Sequence, residues 1–135
     1  MAKRFEYSVA VGRDGRLRSV GDAELELPDA WTPEHLLLFA LVRCSLASLA
    51  FYAERDGRTT RGSAAADGVV AKAERDGRYA FVEIECGLDV EVEPPLEGDA
   101  LLELLDAAER GCFIGASLTV EPRYEWRVNG ELVDR

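Results

Sequence analysis

The chain has 135 residues, enough for a single domain that buries roughly two-thirds of the surface of its unfolded state. It carries 16 Lys and Arg against 26 Asp and Glu, and this net charge of −10 argues against a nucleic-acid or anionic-membrane surface. One His and three widely spread Cys exclude a four-ligand zinc site on one chain, and an odd cysteine count argues against a secreted disulfide framework.

The N-terminus, Met1 to Tyr7, holds basic residues with no apolar run behind them, so no signal peptide is expected and the compartment expected is a reducing cytoplasm. Phe5–Val11 reads as a strand that passes through Asp14-Gly15 into a second strand, Arg16–Val20. The string Arg-Asp-Gly-Arg recurs at 13–16, 55–58 and 75–78, but the flanks do not match, so it is no internal repeat. The first and third copies sit between strand-like runs, where Asp-Gly suits a two-residue type I′ hairpin turn.

A long helix is predicted from Thr32-Pro33-Glu34 to about Glu54. Thr32 is a good N-cap, Pro33 fits the first helical position and Glu34 complements the dipole. Its apolar residues run nearly all round, so it is expected to be a central buried helix shared with a partner chain. The stretch from Leu36 to Ala53 approaches membrane-span length, but Arg43 at its middle would cost about 2.5–3.5 kcal/mol in a bilayer. No membrane partner is expected. The second Arg-Asp-Gly-Arg follows this helix and helps to end it.

Val69–Glu74 and Tyr79–Val92 form the next strand pair, joined by Asp76-Gly77. In the second strand Val82, Ile84, Cys86, Leu88, Val90 and Val92 alternate with acids, so period two puts them on one buried face. The whole acidic surplus lies between Glu83 and Glu109, a stretch without Lys or Arg. It reads as a solvated face, the alternative being a surface for a cation or a basic partner. A second helix runs from about Gly98 to Arg110 with a stripe of Leu101, Leu102, Leu104, Leu105 and Ala108, ending at Gly111. Ser117–Val128 is the last long strand, followed by a hairpin turn at Asn129-Gly130. The chain is thus an α+β fold, one domain over 1–135, with Tyr124 and Trp126 as core residues.

The cysteines differ. Cys86 lies between Ile84 and Leu88 on the apolar face and reads as packing. Cys44 lies inside the long helix, too far from its N-terminus for the dipole to help, in apolar surroundings that disfavour the nucleophilic thiolate. Arg43 projects about 100° away from it around the helix. An activated Cys44 therefore needs a cation from elsewhere. Cys112 follows Gly111 in a loop or strand entry, where an accessible thiol is expected; it can be packing or the partner of Cys44.

Taken in order, Gly12-Arg13-Asp14-Gly15, Pro33-Glu34-His35-Leu36-Leu37 running to Cys44, and Cys112 near a helix end resemble the OsmC/Ohr family of thiol peroxidases. The resemblance covers nearly the whole chain. It implies an OsmC-like fold, antiparallel sheets around a long central helix, built as an intertwined homodimer. It implies reduction of organic hydroperoxides with no metal or organic cofactor and with a dithiol reductant such as a lipoylated protein. Cys44 would be the peroxidatic thiol, Cys112 the resolving one, Arg13 the activating cation and Glu34 its orienting carboxylate. Leu37, Leu41 and Phe113 would line the substrate side. The chain departs from the family pattern at Arg43 and Ser45 around the first cysteine, and at Phe113 and Gly115 after the second. The alternative is an OsmC-like binding or thiol-repair module without efficient peroxidase activity. Along one regular helix Glu34 and Cys44 are ~15 Å apart, so both cannot touch one guanidinium.

Overall fold

The computed structural model describes residues 2–19 and 23–135. Met1 and Val20, each part of a sequence expectation above, lie outside the described residues. The chain divides into two compact units, residues 1–34 and residues 35–135.

The first unit holds three two-residue strands, β1 (Ala10–Val11), β2 (Leu17–Arg18) and β3 (Glu24–Leu25), antiparallel in that order. The strand expected from Phe5 begins only at Ala10. Phe5, Tyr7 and Val9 alternate as a strand should, but the ladder with β2 starts at Ala10 and all three are exposed. The turn between β1 and β2 is not the type I′ turn expected of Asp-Gly. Gly15 N donates to Gly12 O at 3.0 Å, and Gly12 N to Arg16 O at 2.9 Å. Of the loop residues 13–15, only Gly15 takes a positive φ, 82°. This is a three-residue loop closed by a left-handed glycine. Asp14 earns its place through its side chain, which accepts from Arg16 N at 3.0 Å. That bond holds the Asp14 carboxyl below its ordinary value. The 73–78 loop repeats the device: Arg78 N donates to Asp76 Oδ1 at 3.0 Å and Gly77 takes φ 71°.

The helix α1 (Pro33–Arg55) starts where Pro33 predicts and stops at the second Arg-Asp-Gly-Arg. Gly57 adopts φ 73°, and Arg58 N donates to Ala53 O at 2.9 Å. The remaining elements are β4 (Thr59–Lys72), β5 (Tyr79–Glu93), α2 (Gly98–Arg110), α3 (Phe113–Ala116), β6 (Arg123–Val128) and β7 (Glu131–Leu132). The four strands form one sheet in the order β4-β5-β6-β7. Two of its strand pairs are antiparallel, as expected, but β5 and β6 run parallel. A parallel pair needs a crossover, and α2 and α3 supply it. β6 is accordingly shorter than expected, because residues 117–122 are spent returning from α3.

The core lies between the inner face of this sheet and the helices. Ile84, Cys86, Leu88, Val90 and Val92 face inward from β5, with Trp126 and Val128 from β6; Leu41, Leu49 and Ala53 of α1 and Leu104, Leu105 and Ala108 of α2 complete it. Val82 departs from the expected alternation. The β4–β5 register shifts between Val69 and Val70, with Val70 opposite Phe81 and Val69 opposite Glu83. Val82 is the extra residue of this bulge and is turned out. The acids at 83, 85, 89, 91 and 93 all face solvent, as expected. Arg123 pairs with Glu83 and Glu85, and Arg61 with Glu91, which neutralises part of that face. No group of three or more His, Cys, Asp or Glu among the described residues can hold a metal ion.

Helix α1 is long and apolar enough to cross a membrane by length and composition alone. Its inward residues, Leu41, Val42, Ser45, Ser48, Leu49 and Ala53, are buried in the core. Phe39 and Phe51 of the same helix are exposed.

Candidate functional site

Cys44 and Cys112 are neighbours, although 67 residues of sequence separate Ser45 from Cys112. The packing of α2 on α1 brings them together. Gly111 follows α2 directly, and a Cβ there would lie 2.6 Å from Tyr52 Cε2 and 3.0 Å from Ser48 Oγ, both on α1. Its φ of −83° suits any residue, so glycine is required for close approach and not for backbone shape. Ser48 Oγ donates to Ala108 O at 2.7 Å and ties the two helices at the same level.

The two thiols are both free and differ in exposure. Cys44 is half-buried, whereas Cys112 is fully enclosed. The accessible Cys112 expected from its place after a helix is thus corrected. Its backbone does not enter a strand. It turns into the short helix α3, whose N-cap it is, and its sulfur accepts from Gly115 N at 3.4 Å. Burial pushes the Cys44 thiol above its ordinary value. The backbone N–H groups of Ile114 and Phe113 pull it down, and the Cys112 thiol pushes it up again. Among the described residues no side-chain cation offsets this rise. Burial, with Cys112 and the Glu109 carboxylate nearby, holds Cys86 up at about 11.

Ser45 and Tyr124 complete the cluster, and sequence reasoning missed both as site residues. Ser45 is fully buried; its hydroxyl lies 2.9 Å from Leu41 O, 3.7 Å from Cys112 Sγ and 3.3 Å from the Tyr124 hydroxyl. The parallel β5–β6 register sets Tyr124 beside Cys86 on the inner face, with Trp126 beside Leu88. A buried serine on an apolar helix was the available signal, since its hydroxyl must find a partner.

A groove of about 830 Å³ runs along α1, with Cys44 in its wall. Phe39, Leu46 and Ala50 line it from the helix, and Gly62, Ala64 and Val90 from the sheet. Arg43 also lines it, exposed and without an ion pair among the described residues. Of the expected substrate-side residues, Leu41 is fully enclosed, Leu37 is half-buried against the core and Phe113 is exposed on α3. None of the three lines this groove. Arg13 lies in the first unit, exposed in the 12–15 turn, and Glu34 is exposed in the first turn of α1. His35 is exposed in the same turn.

The sequence profile of the family described as OsmC-like protein matches residues 26–127. No functionally curated protein matches the chain. Several solved structures share the fold. An OsmC-like protein from Mycoplasma pneumoniae is 18% identical with a TM-score of 0.68, over 95% of this chain and 99% of that one. An OsmC-like protein of unknown function from Vibrio cholerae is 16% identical with a TM-score of 0.74, over 91% and 99%. The organic hydroperoxide resistance protein OhrB of Bacillus subtilis is 22% identical with a TM-score of 0.55, over 90% and 96%.

Proposed function

We propose that this chain, which belongs to the OsmC-like protein family, is a cysteine-based peroxidase that reduces organic hydroperoxides through Cys44 and Cys112. The observation that carries the reading is the pairing of a half-buried thiol in a groove wall with a fully enclosed second thiol. The organic hydroperoxide resistance protein of Bacillus subtilis, so named, has the same fold.

In this reading the Cys44 thiolate attacks the distal peroxide oxygen, the O–O bond breaks and an alcohol leaves. Arg13 supplies the positive charge that the raised Cys44 thiol requires and steadies the departing alkoxide. Cys112 then condenses with the Cys44 sulfenic acid, and a dithiol such as a lipoylated protein reduces the disulfide. The apolar surroundings of Cys44 favour organic peroxides over hydrogen peroxide. The chain works as a homodimer in which a second copy covers the exposed Phe39 and Phe51 side of α1. Glu34 stands ~15 Å along α1 from Cys44 and therefore orients an Arg13 that serves the Cys44 of the other copy. The reaction runs in the cytoplasm without metal or organic cofactor.

Burial that raises the Cys44 thiol favours a second reading, an OsmC-like binding or thiol-repair module. Steady-state consumption of cumene hydroperoxide with dihydrolipoamide separates the two. Turnover by the wild type and none by Cys44→Ser is the expected result. Substantial activity in Cys44→Ser, or no turnover by the wild type, overturns the peroxidase.

A further inference from the structure

Cys112 is fully enclosed, yet polar atoms surround its sulfur. Gly115 N–H points at it from 3.4 Å, the Ser45 hydroxyl from 3.7 Å, and the Leu41 carbonyl oxygen lies 3.9 Å away. Ser45 is also 2.9 Å from that carbonyl and 3.3 Å from the Tyr124 hydroxyl. Counting hydrogens decides who donates to whom. Ser45 has a single hydroxyl hydrogen, which it can give to Leu41 O or to sulfur, but not to both at full strength. While Cys112 is a thiol, Ser45 donates to Leu41 O, the usual back-bond of a helical serine. Once Cys112 is a thiolate, the same hydrogen is better used on sulfur, because a hydrogen bond to an ionised acceptor is the stronger. Tyr124 makes this turn possible. Burial raises its phenol to about 12, so it keeps its proton wherever a thiol works and donates to Ser45 Oγ. An oxygen that receives a donor becomes a better donor itself.

We infer that Ser45 and Tyr124 are positioning residues for the resolving step, holding Cys112 and stabilising its thiolate as it attacks the oxidised Cys44. The inference rests on the proposed peroxidase reading. In the step, Cys112 sulfur attacks the sulfur of the Cys44 sulfenic acid. The S–S bond forms and the S–O bond breaks. Cys112 sulfur is oxidised, Cys44 sulfur is reduced, and the oxygen leaves with the proton shed by Cys112 as water. Gly115 N–H and Ser45 O–H meet the negative charge before the bond forms, in a pocket that water does not reach.

The test is rapid-quench oxidation of the reduced full-length protein by one equivalent of cumene hydroperoxide. Mass spectrometry separates dimedone-trapped Cys44 from the Cys44–Cys112 disulfide. Cys44 oxidation is expected at the wild-type rate in Ser45→Ala and Tyr124→Phe, while disulfide formation slows about tenfold, the weight of one hydrogen bond to an ionised sulfur. Its pH–rate profile also moves to higher pH. A disulfide rate equal to the wild type overturns the inference, and so does slowing by one factor at every pH with an unmoved profile. Tyr124→Phe keeps the ring stacked on Trp126 and carries the test alone if Ser45→Ala does not fold. A wild type that forms no Cys44–Cys112 disulfide overturns the peroxidase reading and this inference together. A wild type that forms it, with variants that match it, overturns this inference only.

Discussion

Gly111→Ala is the substitution that most directly tests how the two thiols are brought together. At a negative φ with open space around it, Gly→Ala stabilises a fold by about 0.4–1 kcal/mol, because the unfolded chain loses freedom. Gly111 has the permissive φ of −83° but not the space: the new Cβ would meet Tyr52 Cε2 at 2.6 Å, Tyr52 Oη at 2.8 Å and Ser48 Oγ at 3.0 Å. Overpacking of this kind costs about 1–3 kcal/mol, which exceeds the entropic gain. The net expectation is a loss of roughly 1–2 kcal/mol, or about 3–10 °C in Tm for a chain of this size. Thermal melts followed by circular dichroism read it. The clash with Tyr52 also predicts coupling. The Gly111→Ala, Tyr52→Ala double variant should be more stable than the sum of the single losses by about 1 kcal/mol. A Gly111→Ala protein that melts at or above the wild-type temperature would refute the close-approach argument, and additive losses would refute the role of Tyr52.

Further outcomes follow from the same packing. The fold keeps Cys86 neutral up to about 11, whereas an unfolded cysteine ionises near about 8.5. The unfolded chain therefore sheds that proton first, and stability falls between those two values by roughly 3 kcal/mol at most, with no contribution below them. Urea unfolding under reducing conditions should show a steeper alkaline loss in the wild type than in Cys86→Ala; parallel profiles would contradict the buried-thiol assignment. Asn129 takes φ 51° in the β6–β7 turn, and its side chain bonds both the N–H and the carbonyl of Val92, at 3.0 and 3.2 Å. Asn129→Gly keeps the turn but loses about 1–2 kcal/mol of those bonds. Asn129→Ala adds backbone strain and should be the weaker of the two in urea. An alanine variant as stable as the glycine one would deny the strain.

Legibility in the sequence followed the strength of local signals. α2 and the start of α1 were readable, since Gly98–Arg110 carries a regular leucine stripe and Pro33 marks a first turn. The Asn129-Gly130 turn was readable because both residues tolerate positive φ, and both adopt it. The first ten residues of β4 were not. Thr59 to Gly68, Arg61 apart, is made of small residues without apolar alternation, and only pairing with β5 makes it a strand. Phe5–Val9 shows the converse, a strand pattern that lies ahead of β1 and outside it. The bulge at Val82 and the parallel entry of β6 are tertiary facts that no local pattern carries. At the candidate site Cys44 and Cys112 were legible as a pair only through the family resemblance. The burial of Cys112 was hidden because the FIGA turn is too short to show helical periodicity. Ser45 and Tyr124 were hidden because a single hydroxyl on an apolar helix names no partner.

The central claim is that Cys44 and Cys112 are a redox pair and Cys86 is packing. Peptide mass mapping of the full-length protein after one equivalent of cumene hydroperoxide, with free thiols alkylated, tests it most directly. The account predicts a Cys44–Cys112 disulfide with Cys86 recovered as the alkylated thiol. A disulfide that includes Cys86, or peroxide consumed with Cys44 still a free thiol, would contradict it.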